Sequence, residues 1–378
     1  MTDKVRTIQM VDLRNQYQRI QHEINEVIQE VVESASFING PEVTIFAQSL
    51  EEYIGAKVTP CANGTDAIQI ALMALGFERG DEIIVPAFTY AAAVEAIALL
   101  GLVPVFADVD PFTFNIDTNS IESLITDRTK AILPVHLFGQ CADMENILAL
   151  AKDRSLYVIE DNAQSMGANY IFSSGNVQKA GTIGDIATTS FFPTKTLGCF
   201  GDGGAIISQN EALSKKCKMI ANHGQSKKYI HETIGCNSRL DTMQAAILNV
   251  KLKHLDHFIQ LRCQAANQYN EALSAIDELV IPKKSEFSTH VFHQYTIKLD
   301  ATLRDELKEF LFSNGIPSMV YYPLPLHKQK AYQSYYKNQD LTSSELLCKE
   351  ALSLPMHTEL NEDQVAYITN TIKKFFLK

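Results

Sequence analysis

From about residue 55 to about residue 210 short apolar runs alternate with longer amphipathic segments. The runs 82-EIIVPAF-88, 103-VPVFADV-109, 131-AILPVHLF-138, 156-LYVIED-161, 186-IATTSFF-192 and 204-GAIISQ-209 are almost continuously apolar. Runs of that length and β-branched content predict strands buried on both faces. Between them lie 64-GTDAIQIALMALG-76, 91-AAAVEAIALLG-101, 119-NSIESLIT-126 and 143-DMENILALAKD-153, which predict helices. Strands separated by helices imply βαβ units around a mainly parallel sheet. After Asn237 the pattern changes. Residues 241–273 read as long helices, and 292-FHQYTIKL-299 and 316-IPSMVYYPL-324 as strands of a smaller unit. The expected fold is therefore α/β, with a mainly parallel central sheet between helices and a smaller C-terminal α+β domain. The expected division is a large domain over 1–250, starting with a helical segment, and a small domain over 251–378.

Composition narrows the partners. The chain has 378 residues, long enough for two domains, and a formal charge of −11. Such a surface repels phosphate backbones and anionic lipid, so neither a nucleic-acid partner nor a membrane partner is expected. The most apolar stretch, 91–109, is broken by Glu95, Gly101 and Pro104, which disqualifies it as a membrane span. The seven cysteines are scattered, odd in number and never spaced CxxC, as in a reduced protein rather than a disulfide or zinc framework. With a polar N-terminus, these features predict a cytoplasmic location.

Three segments carry chemistry. In 61-CANGTDAIQ-69 a strand-like run turns through Asn63, Gly64 and Thr65 into a helix. The free N–H groups of that first turn suit a phosphate, although Asn63 or Thr65 can equally serve as a plain helix cap. In 157-YVIEDNAQS-165 a strand ends in Glu160 and Asp161, at the edge where parallel sheets collect ligands. In 186-IATTSFFPTKTLGCFGDGGAII-207 Lys195 falls between two buried strands. A lysine there either snorkels to solvent or is desolvated into a nucleophilic amine. Phosphate cradle, strand-end carboxylate and lysine together form a set. They match the needs of pyridoxal phosphate (PLP): donors for its phosphate, an anion for its ring nitrogen and an amine for its aldehyde.

At this point the chain resembles the DegT/DnrJ/EryC1/StrS sugar-nucleotide aminotransferases, members of the fold type I PLP enzymes. The resemblance is carried by 63-NGTDA-67, 160-EDNAQS-165, 190-SFFPTK-195 with 201-GDGGA-205, and 236-CNSRLDTMQAAIL-248, and extends from about 9-QMVDLRNQY-17 to 352-LSLPMH-357. It implies catalytic roles for Lys195, as the amine joined to the cofactor aldehyde and as proton carrier, and for Asp161, as partner of the ring nitrogen. Gly64, Thr65 and Ser190 would hold the phosphate, with Asn237 completing that site from the second subunit of a homodimer with shared active sites. Gln164 would lie against the ring or its oxygen, and Tyr90 would stack on it. Arg239, Tyr321 and Tyr322 would meet the substrate. His327 is a further pocket candidate, and Asn162 replaces an alanine common in the family. Relatives acting on carboxylated 3-keto sugars often have His-Tyr-Pro where this chain has Tyr321-Tyr322-Pro323, which argues against a uronic substrate.

The implied reaction moves an amino group from glutamate, through PLP and its amine form pyridoxamine phosphate (PMP), to the ketone of a nucleotide-diphosphate sugar. A 3-keto UDP-N-acetyl sugar is the best match, with a 4-keto UDP or dTDP sugar as the alternative. The product would serve amino-sugar and surface polysaccharide synthesis, such as lipopolysaccharide or O-antigen. A histidine in place of Lys195 marks relatives that dehydrate rather than transaminate. The alternative of another class is a non-catalytic regulatory protein on the same fold, disfavoured by intact Lys195, Asp161 and Ser190. His254/His257 and His290/His293 share helix- or strand-compatible spacing, but neither pair has further ligands nearby in sequence, so no metal is expected. No GxGxxG or GxxxxGK[ST] occurs, which weakens a dehydrogenase or kinase reading.

Overall fold

A computed structural model describes residues 8–377. Three helices lead in: α1 (Leu13–Arg19), α2 (Gln21–Ser34) and α3 (Pro41–Ile54). The α/β core follows as β1 (Lys57–Cys61), α4 (Gly64–Leu75), β2 (Glu82–Pro86), α5 (Ala92–Leu99), β3 (Val103–Ala107), α6 (Thr118–Ile121), β4 (Thr129–Ile132), α7 (Met144–Arg154) and β5 (Tyr157–Asp161). A small hairpin, β6 (Asn169–Ile171) and β7 (Val177–Lys179), precedes β8 (Ile186–Ser190), β9 (Gly204–Ser208) and α8 (Glu211–Ala221). A second hairpin, β10 (Gln225–Lys227) and β11 (Ile230–His231), leads to α9 (Thr242–Lys253) and α10 (Leu255–Leu273). The remainder is β12 (Leu279–Val280), β13 (Tyr295–Leu299), α11 (Ala301–Ser313), α12 (Thr342–Glu350), β14 (Ala351–Leu354) and α13 (Glu362–Phe376).

The seven strands of the main sheet run in the order β1-β9-β8-β5-β4-β2-β3. Only β9 opposes the rest, pairing antiparallel with both β1 and β8. This is the mainly parallel sheet the apolar runs predict. All five residues of β2 and of β9 are buried, as two covering helical layers require. Because β9 starts where β1 and β8 end, Cys61, Gly204 and Ser190 lie side by side across three strands. Asp161, the last residue of β5, is one strand further on and aligns with Thr188 of β8. Register alone therefore gathers the three chemical segments at one edge of the sheet.

The C-terminal part builds a smaller sheet in the order β12-β13-β14. Tyr269, Leu273, Tyr295, Leu307, Leu352 and Ile368 pack there in a buried cluster of their own, giving the expected α+β unit. The predicted strand 316–324 does not form. Met319 bridges Ser353 at a single position, Pro317 and Pro323 remove ladder donors, and the chain leaves the sheet toward the main cavity. The strand beside β13 is instead β14. The helical stretch 241–273 is divided at His254, whose φ −100° and ψ −2° end α9 and open α10. The predicted helix 119–126 shortens to α6 plus one 3-10 turn, Glu122–Leu124. None of the helices among the described residues is long and apolar enough to cross a membrane.

Candidate active site

The site begins at the turn from β1 into α4. Asn63 does cap the helix: its side chain accepts the Asp66 N–H at 2.8 Å. That cap leaves the N–H groups of Gly64 and Thr65 without partners among the described residues and open to an anion, so the two readings of this segment are compatible. Gly64 is required by a close approach, since a Cβ there would stand 2.8 Å from Cβ of Ser190. Gly204 serves the same junction, because a Cβ on it would collide with the Asn63 carbonyl group. From Ser190 the chain is pinned before it reaches the lysine. Phe191 is fully buried edge-on to Phe46, with ring centroids 5.2 Å apart, and its N–H donates to Gly203 C=O at 2.7 Å. Gly198 closes the turn behind Lys195, where a Cβ would lie 2.5 Å from Pro193 O.

Lys195 and Asp161 line one cavity of about 770 Å³, with Gly64, Thr65, Tyr90, Gln164, Ser190, Tyr321 and Tyr322. Burial lowers the Lys195 pKa from the ordinary 10.5 to about 8, against the opposing pull of Asp161. Burial pushes the Asp161 carboxyl up, opposed by the Ala163 N–H, Lys195 and His136. The Ala163 N–H donates to Asp161 Oδ1 at 3.0 Å. Asp161 is thus a carboxylate short of positive charge, which a protonated ring nitrogen would supply. Neighbouring Glu160 is spent on structure. It accepts from Gly181, Ile183 and Gly184 N–H groups and pairs with His136 at 2.8 Å.

Gln164 is oriented by two bonds. Its Oε1 accepts the Phe138 N–H at 2.8 Å, so its amide nitrogen turns to Tyr322 Oη at 3.2 Å. The Tyr322 ring stands edge-on to Phe88 at 5.7 Å and tilted to Tyr90 at 6.5 Å. Tyr90 is 63 % exposed and sits at the rim rather than in the core. The cavity has further walls that the motifs do not mark: Thr89, Phe138, His293, Gln294, Met319 and Val320. Thr89 is only 2 % exposed, and its hydroxyl has no partner, as an atom meant for a ligand would be. Free amides at Gly64 and Thr65, an uncompensated Asp161, a softened Lys195 and this orphan hydroxyl fit a phosphorylated pyridine aldehyde.

Asn237 and Arg239 are not brought to this cavity. Asn237 is exposed and bridges Asn222, while Arg239 lines a separate cavity of about 980 Å³ with Asn39, Gln48, Lys215, Lys218 and Gln225. His327 is buried elsewhere, with Nε2 3.1 Å from Glu345. Asn162 is a buried tether that donates to Ala180 C=O and accepts from Ser165. The histidine pairs separate: His254 joins Glu23 at 3.0 Å, and His290 stacks on Phe292 while His293 faces the cavity.

The DegT/DnrJ/EryC1/StrS aminotransferase family matches residues 18–373. The chain belongs to this family. Its aminotransferases use PLP, and the enzyme is a PLP-dependent transaminase. It is 49 % identical over 373 residues to a "pleiotropic regulatory protein" of Geobacillus stearothermophilus, covering 98 % of each chain. It is 43 % identical to the UDP-2-acetamido-2-deoxy-3-oxo-D-glucuronate aminotransferase of Pseudomonas aeruginosa, covering 96 % of this chain and 98 % of the other. It is also 43 % identical to the UDP-N-acetyl-3-dehydro-alpha-D-glucosamine 3-aminotransferase of Acidithiobacillus ferrooxidans, covering 97 % of each. Among solved structures, a family aminotransferase from Brucella abortus superposes with a TM-score of 0.93 at 40 % identity, covering 98 % of this chain and 100 % of the other. The ntda protein of Bacillus subtilis, solved with bound PMP, has a TM-score of 0.89 at 30 % identity, covering 100 % of this chain and 87 % of the other.

Proposed function

We propose that this transaminase moves the amino group of glutamate to the ketone of a 3-keto UDP-N-acetyl sugar, for amino-sugar and surface-polysaccharide synthesis. The observation that carries the reading is the union of Lys195, Asp161, Gly64 and Ser190 in one cavity. The two 43 %-identical relatives named for 3-oxo UDP sugars support the choice of substrate. Tyr321-Tyr322-Pro323 supports the neutral sugar over the uronic acid. Seven unbridged cysteines support a cytoplasmic location.

Bound PLP supplies an aldehyde for the Lys195 amine and an electron sink for the substrate carbon. Gly64, Thr65 and Ser190 would hold its phosphate, and Asp161 would keep its ring nitrogen protonated. Gln164, aimed by the Phe138 amide, would lie against the ring or its oxygen, and Tyr90 would stack on it. Lys195 Nζ carries the proton that leaves the donor's α-carbon and delivers one to the sugar carbon. Its pKa of about 8 lets it do both near neutrality. Tyr321 and Tyr322 shape the sugar side. Asn237 and Arg239 act across a homodimer interface, on the phosphate and the substrate respectively.

The test is purified protein with glutamate and a panel of 3-keto and 4-keto nucleotide sugars, following 2-oxoglutarate. Turnover with the 3-keto UDP sugars and its loss in Lys195→Ala are expected. Preference for a 4-keto sugar would reassign the substrate. The regulatory name of the 49 %-identical relative favours one competing reading, a non-catalytic PLP-binding protein. Such a protein would keep the yellow colour of its cofactor unchanged in glutamate, whereas a transaminase bleaches it.

A further inference from the structure

The wall of the main cavity holds an unclaimed imidazole. His293 lines the cavity yet is only 6 % exposed, and its Nδ1 is enclosed with no hydrogen-bond partner. Its second ring nitrogen makes no hydrogen bond within the described residues either. An enclosed N–H without an acceptor costs more than an enclosed bare nitrogen, so the proton belongs on Nε2. Burial, Lys195 and Arg262 all oppose a second proton, and hold the ring neutral. His293 is therefore a fixed, neutral N–H donor with nothing among the described residues to receive its bond.

The charge behind it selects what that donor receives. Arg262 of α10 is 3 % exposed and has no carboxylate within ion-pair distance among the described residues. Its Nη1 donates only to carbonyls, those of Phe292 at 3.2 Å, His293 at 3.4 Å and Met356 at 3.1 Å, and its Nε is unpartnered. A buried, uncompensated guanidinium makes the adjoining cavity wall electropositive. Lys195 lies near enough to act electrostatically on the same imidazole. An acceptor at His293 is thus anionic and belongs to a group attached near the carbon whose proton Lys195 carries. Glutamate offers such a group in its α-carboxylate.

We propose that His293, backed by Arg262, binds the α-carboxylate of the amino donor, making the cavity wall at His293 and Gln294 a donor-recognition subsite. The proposal rests on the transaminase reading above and deepens it. A hydrogen bond to a charged group contributes enough that its loss weakens binding by roughly ten-fold or more.

Two readouts test it. In the PLP-loaded protein, His293→Ala should raise the glutamate concentration for half-maximal bleaching by about ten-fold, and His293→Gln, which keeps a neutral N–H donor, should recover most of it. The PMP-loaded protein reacting with the keto-sugar should change by less than about three-fold in both variants. Independently of turnover, calorimetric binding of maleate, a dicarboxylate without an amine, should weaken in His293→Ala and recover in His293→Gln. Equal damage to both half-reactions, or unaltered glutamate and maleate binding in a variant with a normal melting curve, overturns the subsite. A loss confined to the keto-sugar half-reaction overturns it too, and assigns His293 to the sugar. If wild-type protein bleaches with glutamate but aminates no sugar, the proposed sugar substrate fails while the glutamate and maleate arms still decide the role of His293.

Discussion

At the scale of the residue, Lys195 shows how burial makes a reagent. In water its amine is protonated up to an ordinary pKa of 10.5; in the cavity that falls to about 8. The sign follows directly. The depressed value belongs to the folded state, so the reactive neutral form grows as pH rises through about 8 rather than through 10.5. Cofactor-free protein should take up PLP at a rate that climbs with pH and levels off above about 8. Stopped-flow absorbance measures it, and a rate still climbing in proportion to hydroxide near pH 10 would remove the desolvated amine from the mechanism. Asp161→Asn gives the complementary outcome. If Asp161 pairs with the ring nitrogen as proposed, this change removes that anion, and transamination should drop by roughly two or more orders of magnitude with PLP still bound. Lys195 and Asp161 were legible in the sequence because each stands inside a contiguous motif, and the structure brings both motifs to one cavity. Thr89 and His293 were not. A lone threonine and a lone histidine signal nothing until tertiary packing leaves their polar atoms unpaired at one cavity.

At the scale of the element, glycine and aromatic anchors carry the precision of the site. β1, β9 and β8 end or start together, and the turn after β1 touches Ser190 only because position 64 has no Cβ. Gly64→Ala forces an overpacked contact that costs about 1–3 kcal/mol, charged largely against the phosphate position. The Kd for PLP should rise by about ten-fold, since 1.4 kcal/mol is a factor of ten, while the melting temperature of the cofactor-free protein moves little. A normal Kd would mean the turn can shift without cost. Phe191 answers to a different measurement. Its ring is buried against Phe46 and its backbone ties β8 to the returning loop, so Phe191→Ala should cost about 3–5 kcal/mol in unfolding free energy. The parallel strands were readable as apolar runs because they are buried on both faces. The false strand at 316–324 has the same β-branched and aromatic content, but its side chains are used to line a cavity. Apolarity reports burial, and does not say whether a sheet or a ligand provides it.

At the scale of the whole molecule, the question is why two motif residues lie outside the cavity that the others form. Asn237 and Arg239 follow the exposed β10–β11 hairpin, and Arg239 opens into the second, lysine-lined cavity instead. The surface nearby carries Phe37, Ile38, Tyr229, Ile230 and Ile234 exposed, an apolar investment uncommon on a free surface. A second copy docked by two-fold symmetry would both cover such a face and deliver Asn237 and Arg239 to the opposite Lys195. Sequence motifs name these residues but not the chain they serve, because spacing along one chain carries no record of a symmetry axis. Subunit mixing decides it. Lys195→Ala and Arg239→Ala proteins should each be nearly inactive alone. If the sites are shared, unfolding and refolding an equal mixture makes about half the dimers mixed, each with one intact site, and restores about a quarter of wild-type activity. If each chain supplies its own Arg239, the mixture stays as inactive as its components, and the sharing of sites across an interface is overturned.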